Sequence, residues 1–202
     1  MRIALRGGLE LEDPLDVTIR FAEAYPDYDS RDSEPGSFDE SDLRHANRGG
    51  ARISAAEIAA ILERRARIER ALRSIAPDAS LADAEDSIPW RSLTQLFDGF
   101  AEISGIGFSK MTKALHPKRR ALVPMLDSVV QAYLAADEPQ ASTASFGERA
   151  TTLVGSYKQD LDRNLVALRQ VQRDLVSRDY RSLTEVRILD LLVWSAHAPT
   201  AR

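Results

Sequence analysis

The stretch that decides the fold is residues 103–130, ISGIGFSKMTKALHPKRRALVPMLDSVV. A Gly-Ile-Gly turn with Gly105 and Gly107 separates two segments whose apolar residues repeat at helical spacing, and Asp127 begins a third such segment. No acid occurs between Ser104 and Pro124, so the stretch is locally basic. This order predicts two helices joined by a tight turn, then a basic connection, and then a helix that starts at one carboxylate. The cations of the stretch are Lys110, Lys113, Lys118, Arg119 and Arg120.

Helical patterns also flank this stretch on both sides. Ser54 and Glu57 have the spacing of a capping box, and they predict one helix that runs from there until Pro77. Pro124 suits the first turn of the helix that follows it, and Thr184 is a candidate cap for the last helix. No segment shows the alternation typical of a strand, so we expect an all-α fold. Further helices are predicted at about 92–103, about 108–116 and about 146–177.

The first 50 residues are the least regular part of the sequence. Residues 17–25 predict a short helix, while residues 27–42, DYDSRDSEPGSFDESD, are polar and rich in turn formers. A loop of that length within a compact domain is often functional. We therefore expect residues 1–50 to form an irregular N-terminal segment and residues 51–202 to form a helical domain.

Composition excludes several classes of protein. Because the chain has no cysteine, it forms no disulfide, zinc-thiolate site or iron–sulfur cluster, and its three histidines are scattered. We expect no metal and no organic cofactor. No apolar run approaches the ~18 residues of a membrane span, so we expect a cytoplasmic monomer without a membrane partner. The net charge is -4, yet the basic stretch is a local patch that can bind phosphate.

Two segments resemble motifs of the helix-hairpin-helix DNA glycosylases. Residues 103–107, Ile-Ser-Gly-Ile-Gly, match the hairpin turn, and residues 126–130, Leu-Asp-Ser-Val-Val, match the segment that carries the catalytic aspartate of that superfamily. The spacing between the two motifs fits without a gap. The resemblance covers about residues 91–135 and implies a glycosylase-like helical domain with the hairpin at about 92–116. The phrase TKALHPKRRALVPMLDSVV also looks like a bacterial family of unassigned function.

The resemblance implies a DNA glycosylase that acts on double-stranded DNA with Asp127 as its catalytic residue. Glycine at the start of a helix lets a phosphate oxygen approach unpaired amides, so Gly105 and Gly107 would hold the DNA backbone. Bifunctional members place a lysine two residues after the second glycine, where this chain has Ser109, so we expect a monofunctional enzyme. The expected DNA-binding residues are Gly105, Gly107, Ser109, Lys110, Lys113, Lys118, Arg119 and Arg120.

Base excision requires a pocket for the extruded base, and the N-terminal segment supplies candidates for its walls. Tyr25 and Tyr28 could stack on a base, while Asp29 and Asn47 could read its edge. An acidic, tyrosine-containing loop suits a bulky polar base. Our hypothesis is therefore a modified base, for example glucosylated cytosine in bacteriophage DNA, whose excision would serve antiviral defence.

Two other functions also fit the sequence. A non-enzymatic DNA-binding module would use the same hairpin, with Asp127 as a helix cap. A helical protein-interaction component, such as part of a toxin–antitoxin pair, would use the helix at about 146–177 and the acidic N-terminal loop as its partner surface. Replacement of Asp127 by Asn discriminates the first of these from an enzyme, and DNA binding at low salt discriminates the second.

Overall fold

Helical periodicity and side-chain caps give this chain a mostly α-helical structure. The computed structural model describes residues 2–24, 26–29, 33–135 and 143–197. Two short antiparallel strands come first, β1 (Arg2–Ala4) and β2 (Glu10–Glu12), with Ile3 opposite Leu11. The all-α prediction is confirmed. The helices are α1 (Pro14–Ala24), α2 (Pro26–Asp29), α3 (Glu40–Arg48), α4 (Ala55–Glu63), α5 (Arg65–Arg73), α6 (Trp90–Asp98), α7 (Phe108–Leu115), α8 (Ser128–Leu134), α9 (Phe146–Ser177) and α10 (Glu185–His197).

The N-terminal segment has more regular structure than its sequence pattern indicates. Strands of three residues are too short to show alternation, so periodicity does not predict β1 and β2. Within the predicted loop, Asp39 caps α3 by accepting from the amides of Ser41 and Asp42, and the Asp42 side chain completes a capping box. These local hydrogen bonds form a helix in a stretch whose composition favours turns.

The long helix α9 is the centre of the packing, and it begins where the sequence predicts. Ser145 and Glu148 form a capping box at its N-terminus, and helices α6 and α10 pack against it. Its inward face buries a row of residues that includes Leu153, Tyr157 and Leu161. The helix therefore holds α10 in a fixed position, and α10 forms one wall of the site described below.

The predicted helix from Ser54 to Pro77 is divided into α4 and α5 at Arg64. The Ser54–Glu57 capping box is present, as expected. At the break, the Arg64 side chain donates to the carbonyl oxygen of Ala101 at 2.6 Å. The break thus ties the helix pair to the connection between α6 and α7, a tertiary contact that helical spacing cannot reveal.

The connection between α7 and α8 positions Asp127. The helix after Pro124 starts at Ser128 and not at Pro124 as expected, because Asp127 is its N-cap. The Leu126 amide donates to Thr112 Oγ1 on α7 at 3.0 Å, and the Met125 amide donates to a carboxylate on α10. The segment before α8 is therefore fixed between α7 and α10. In the described part of the chain, no helix has the length and apolar character needed to cross a membrane.

Candidate functional site

A cavity of about 330 Å³ lies where α1, α7, the start of α8 and α10 come together. This volume is at the lower end of the range for small-molecule sites, which is about 300–1,000 Å³. Three of its side chains are cationic and two are carboxylic. The lining consists of Phe21, Tyr28, Gly49, Gly50, Arg52, Lys113, Met125, Asp127, Val130, Arg187, Asp190, Leu191 and Trp194.

Asp127 is half-buried on the wall of this cavity. Its Oδ1 atom accepts from the amides of Val129 and Val130, at 3.0 and 3.1 Å, and so caps α8. The other carboxylate oxygen, Oδ2, forms no hydrogen bond or ion pair within the described residues. The two amides hold the carboxylate in one orientation. Asp127 can therefore cap a helix with one oxygen and offer the other to a ligand.

Lys113 on α7 faces the same cavity. Burial lowers the pKa of its ammonium, with Arg187 and Arg52 acting in the same direction and the carboxylate of Asp127 opposing them. Its Nζ atom lies 3.8 Å from the position that a Cβ would take at Gly50. The sequence predicts that Lys113 contacts a DNA phosphate. The structure places it on the wall of the cavity that Asp127 also lines.

Arg52 is a cation that sequence reasoning missed. It is exposed, it lines the cavity, and its φ of 55° lies in the left-handed region, which is uncommon for a residue with a side chain. Asn47 fixes this loop, because its side chain accepts from the Ile53 amide at 2.6 Å and donates to the Ile53 carbonyl at 2.9 Å. The Gly49-Gly50 pair just before Arg52 was the sequence signal that could have identified the turn.

Aromatic side chains form the apolar walls of the cavity. Phe21 and Trp194 meet edge to face, with ring centroids 5.2 Å apart. Tyr28 stacks on His45 with its centroid 5.2 Å away, and its hydroxyl donates to the Lys113 carbonyl at 2.8 Å. Burial raises the pKa of the Tyr28 phenol well above its ordinary value, so this ring stays neutral.

The remaining base-pocket candidates have other positions. Asn47 is outside the cavity lining, because both ends of its side-chain amide are used to hold Ile53. Asp29 is also outside the lining, because it forms a bidentate ion pair with Arg187, whose Nε and Nη2 lie 2.8 and 3.0 Å from its two oxygens. Tyr25 lies outside the described residues. Of the four candidates, Tyr28 is the one that the structure places in the cavity wall.

Lys118 and Arg119 lack the exposed positions that the predicted contacts with DNA phosphates require. The Arg119 side chain is 2 % exposed, and its guanidinium donates to four backbone carbonyls, those of Pro35, Lys118, Leu72 and Ile75. The Lys118 side chain is likewise buried, with Nζ 2.9 Å from a carboxylate oxygen of Asp42. A phosphate cannot reach either cation, because the chain turns inward after α7 and packs beneath α3 and α5. The predicted role of Lys118 and Arg119 in DNA binding is therefore wrong.

The other predicted cations and Ser109 stay near the surface. Lys110 is half-buried and forms an ion pair with Glu57, with 2.6 Å between Nζ and Oε1. Ser109 is half-buried in the first turn of α7. Arg120 is half-buried and lies outside the cavity lining, and its carbonyl accepts from the Thr184 hydroxyl at 3.0 Å. Of the five predicted cations, Lys113 is therefore the one that lines the same cavity as Asp127.

The two hairpin glycines have different surroundings. Gly105 has a φ of 79°, and a Cβ there would collide with the Glu57 carboxylate, so glycine is required by the fold. Gly107 has a φ of -104°, and nothing lies within 4 Å of the position of its Cβ. Gly107 is the N-cap of α7 and has no side chain to cap it, and no side chain of the described residues accepts from the first amides of that helix. The first amides of α7 are therefore open to an external hydrogen-bond acceptor.

The comparisons with known proteins place this site in a family. A profile described as "Family of unknown function (DUF6308)" matches residues 15–197. The chain belongs to this family. The matched region of this DUF6308 protein runs from α1 to the end of α10 and includes every residue of the cavity lining. No curated protein and no solved structure matches the chain. Within the described residues, no group of three or more His, Cys, Asp or Glu side chains could hold a metal ion.

Proposed function

We propose that this protein is a monofunctional DNA glycosylase that hydrolyses the N-glycosidic bond of a base turned out of a DNA duplex into the cavity. The single observation that carries the proposal is the position of Asp127. It lies on the wall of an aromatic-lined cavity, in the connection between α7 and α8, and its Oδ2 has no hydrogen-bond partner within the described residues. The likeness of residues 103–107 and 126–130 to the helix-hairpin-helix glycosylases supports the same function.

The chemistry needs a single, well-placed carboxylate. When the bond between the base and C1′ of deoxyribose breaks, positive charge develops on the sugar, as in the hydrolysis of glycosides. The Asp127 carboxylate would stabilise that charge, and Oδ2 would orient or deprotonate the attacking water. Because Oδ1 is fixed by two backbone amides, the carboxylate is held in one orientation before the substrate arrives.

The surroundings of Asp127 suit an extruded nucleotide. Base flipping places a planar aromatic base in a pocket, where it stacks on side chains such as those of Trp194 and Phe21. The phosphates stay outside, within reach of cations at the cavity rim, and Arg52 and Lys113 supply these charges. The open amides that begin at Gly107 would hold a backbone phosphate without reading sequence.

The proposed substrate is double-stranded DNA that contains a modified base. The cavity lining combines three cations with aromatic rings, which suits a base with polar substituents better than an apolar one. Glucosylated cytosine of bacteriophage DNA is the modified base we put forward first, and its removal would act as antiviral defence. Monofunctional chemistry follows from Ser109, which occupies the position of the lysine in bifunctional relatives of the helix-hairpin-helix class.

The test is release of free base from a panel of DNAs. Normal, oxidised, alkylated, mismatched and phage-modified DNA are incubated with wild-type protein, and the free bases are measured by mass spectrometry while abasic sites are counted in parallel. Asp127→Asn is expected to abolish release from the substrate DNA, because Asn keeps the helix cap and removes the negative charge. Asp39→Asn is the matched control, since Asp39 is also an N-cap aspartate and lies outside the cavity lining.

One observation favours a second function. The hydrogen bonds of Asp127 fully explain it as a helix cap, which is what a non-enzymatic DNA-binding module requires. DNA binding by the wild type without base release from any DNA of the panel would select that module. Base release that survives Asp127→Asn would show that another residue performs the chemistry.

A further inference from the structure

A second carboxyl group lies in the cavity, and the reaction described above does not use it. Asp190 on α10 lines the cavity and is 3 % exposed. Its Oδ2 atom accepts from the Met125 amide at 3.1 Å. Its Oδ1 atom is buried and has no hydrogen-bond partner within the described residues. A buried carboxyl oxygen without a partner is costly, and such groups concentrate at functional sites.

The neighbours of Asp190 compensate a negative charge on it only in part. Arg187 and the Met125 amide favour that charge, but the guanidinium of Arg187 is also held by both oxygens of Asp29. The Tyr157 hydroxyl also lowers the pKa of Asp190, although it donates its proton to the Val186 carbonyl at 2.7 Å. Burial raises the pKa of Asp190 to about 8, with the carboxylate of Asp127 acting in the same direction and Arg187 opposing it. Asp190 therefore carries a proton at neutral pH.

We propose that Asp190 is the general acid of the glycosylase, which donates a proton from its carboxyl group to the departing base while Asp127 acts on the sugar. This inference rests on the proposed function and names its second catalytic residue. Two carboxyl groups that line one cavity, one half-buried and one buried, are an arrangement that acid and base catalysis can use. Oδ2 is the oxygen that accepts from the Met125 amide, which leaves Oδ1 to carry and donate the proton.

The step balances with water as the only co-reactant. The bond between C1′ and the base nitrogen breaks, and its electron pair stays on the base. A ring nitrogen or carbonyl oxygen of the base takes the proton of Asp190. Water adds hydroxide to C1′ and gives its proton to Asp127. Proton exchange with solvent then restores the carboxylate of Asp127 and the acid of Asp190.

This role defines a class of substrate. An uncharged base is a poor leaving group until it is protonated, so it needs an acid. A base that already carries a positive charge, such as an N-alkylated purine, leaves without one. The proposed enzyme therefore acts on uncharged modified bases, and Asp190 contributes little to the release of cationic ones.

Charged and titratable groups face Asp190 from every element packed around it. They determine how its protonation depends on pH. Lys113 also lines the cavity, and burial lowers its pKa, whereas burial raises the pKa of Asp190. A change of rate with pH could therefore arise from either Lys113 or Asp190, and the test must separate the two. The groups that act electrostatically on Asp190 or interact with its charge are Asp127 before α8, Arg187 on α10, Tyr157 on α9 and Tyr28 on α2, and Lys113 on α7 lines the same cavity.

The first measurement uses the free protein. Carbon-detected NMR of the aspartate carboxyl groups is followed against pH, and the Asp190 signal is assigned as the one missing from Asp190→Asn. We expect it to titrate near pH 8. A midpoint close to the ordinary value of about 3.9 would overturn the proposal, because the group would then be ionised at neutral pH.

The second measurement is the pH dependence of single-turnover base release from the substrate DNA found in the panel. The wild-type rate is expected to fall above the pKa of Asp190, near 8, as the acid loses its proton. Asp190→Asn should lower the rate by about 10²- to 10⁴-fold and remove this alkaline limb. Lys113→Arg should keep the limb, which assigns it to Asp190.

The outcomes separate the two proposals. Base release that depends on Asp127 but is unchanged in Asp190→Asn overturns the general acid and leaves the glycosylase standing. No base release by the wild type from any DNA overturns both. A lower rate in Asp190→Asn with the alkaline limb intact would show a positioning role only, and would also overturn the proposal.

Discussion

Replacement of Asp190 by Asn should make the folded protein more stable at neutral pH. Asn is nearly isosteric with Asp, and its side-chain oxygen can still accept from the Met125 amide. It is uncharged at every pH, so it avoids the cost of protonating a carboxyl group that burial keeps neutral in the folded protein. A substitution that removes a functional residue and raises stability is expected at a site where activity is obtained at the expense of folding stability.

The magnitude follows from the two pKa values of Asp190. Its pKa is about 8 in the folded protein against an ordinary value of 3.8, so between these values the folded state binds more protons than the unfolded state. Stability contributed by this group therefore falls as pH rises through that window. From the ordinary pKa up to pH 7 this effect extends over about three pH units. At 1.36 kcal/mol per unit, it lowers the free energy of unfolding of the wild type by at most about 4 kcal/mol. Near pH 4 the difference disappears.

The assay is urea unfolding of wild type and Asp190→Asn at pH 7 and pH 4. The expected result is a higher free energy of unfolding for the variant at pH 7 and equal values near pH 4. Asp160→Asn is the contrasting variant, since Asp160 is fully buried but forms ion pairs with Arg6 and Arg163. It should lower stability by about 1.5–3 kcal/mol, because it removes the buried carboxylate that accepts from Arg6, Arg163 and the Tyr133 hydroxyl. A variant at position 190 that is less stable than wild type at pH 7 would refute the reasoning.

Further predictions concern the DNA interface. Arg52→Gln and Lys113→Gln should each reduce the salt dependence of DNA binding by about one unit of the log–log slope, as measured by titration at several salt concentrations. Arg119→Met should leave that slope unchanged and instead cost at least about 3 kcal/mol of stability in urea unfolding, because it removes the donor to three buried carbonyls and one part-buried carbonyl. Gly107→Ala should unfold like the wild type but bind DNA more weakly, since the added methyl meets open space where a phosphate would sit. Gly105→Ala should lower the melting temperature, because of its positive φ and the collision with Glu57. Equal effects of the two glycine changes on DNA affinity and on stability would contradict this account of the hairpin.

Local signals predicted most of the helices of this protein. The caps at Ser54 and Thr184 depend on hydrogen bonds between residues three apart, and a sequence displays such pairs directly. The division at Arg64 depends on the carbonyl of Ala101, which lies on another element. No local pattern contains that contact, so the sequence predicts one helix where the fold has two.

The basic stretch shows the same limit at the site. Lys113 and Arg119 look equivalent in the sequence, since both are cations in an acid-free run. The first lies on the cavity face of α7, whereas the second follows the turn after that helix and is buried between backbone carbonyls. Burial and partner choice separate them, and both are properties of the folded chain.

The cavity itself could not be predicted from the chain near Asp127 alone. Asp127 was identified because one motif contains it, but Asp190 and Trp194 come from the last helix. Their approach depends on the packing of α10 against α8 and α9. A carboxylate in an amphipathic helix gives no sign in sequence that its burial will be uncompensated, so Asp190 emerges only from the structure.

The most direct test of the central claim compares free base released by wild type and by Asp127→Asn from the same DNA, at protein concentrations that give equal DNA occupancy. The account predicts that release falls by about 10²-fold or more in Asp127→Asn while Asp39→Asn releases base at the wild-type rate. Equal release by wild type and Asp127→Asn, or no release by the wild type from any modified DNA, would contradict it.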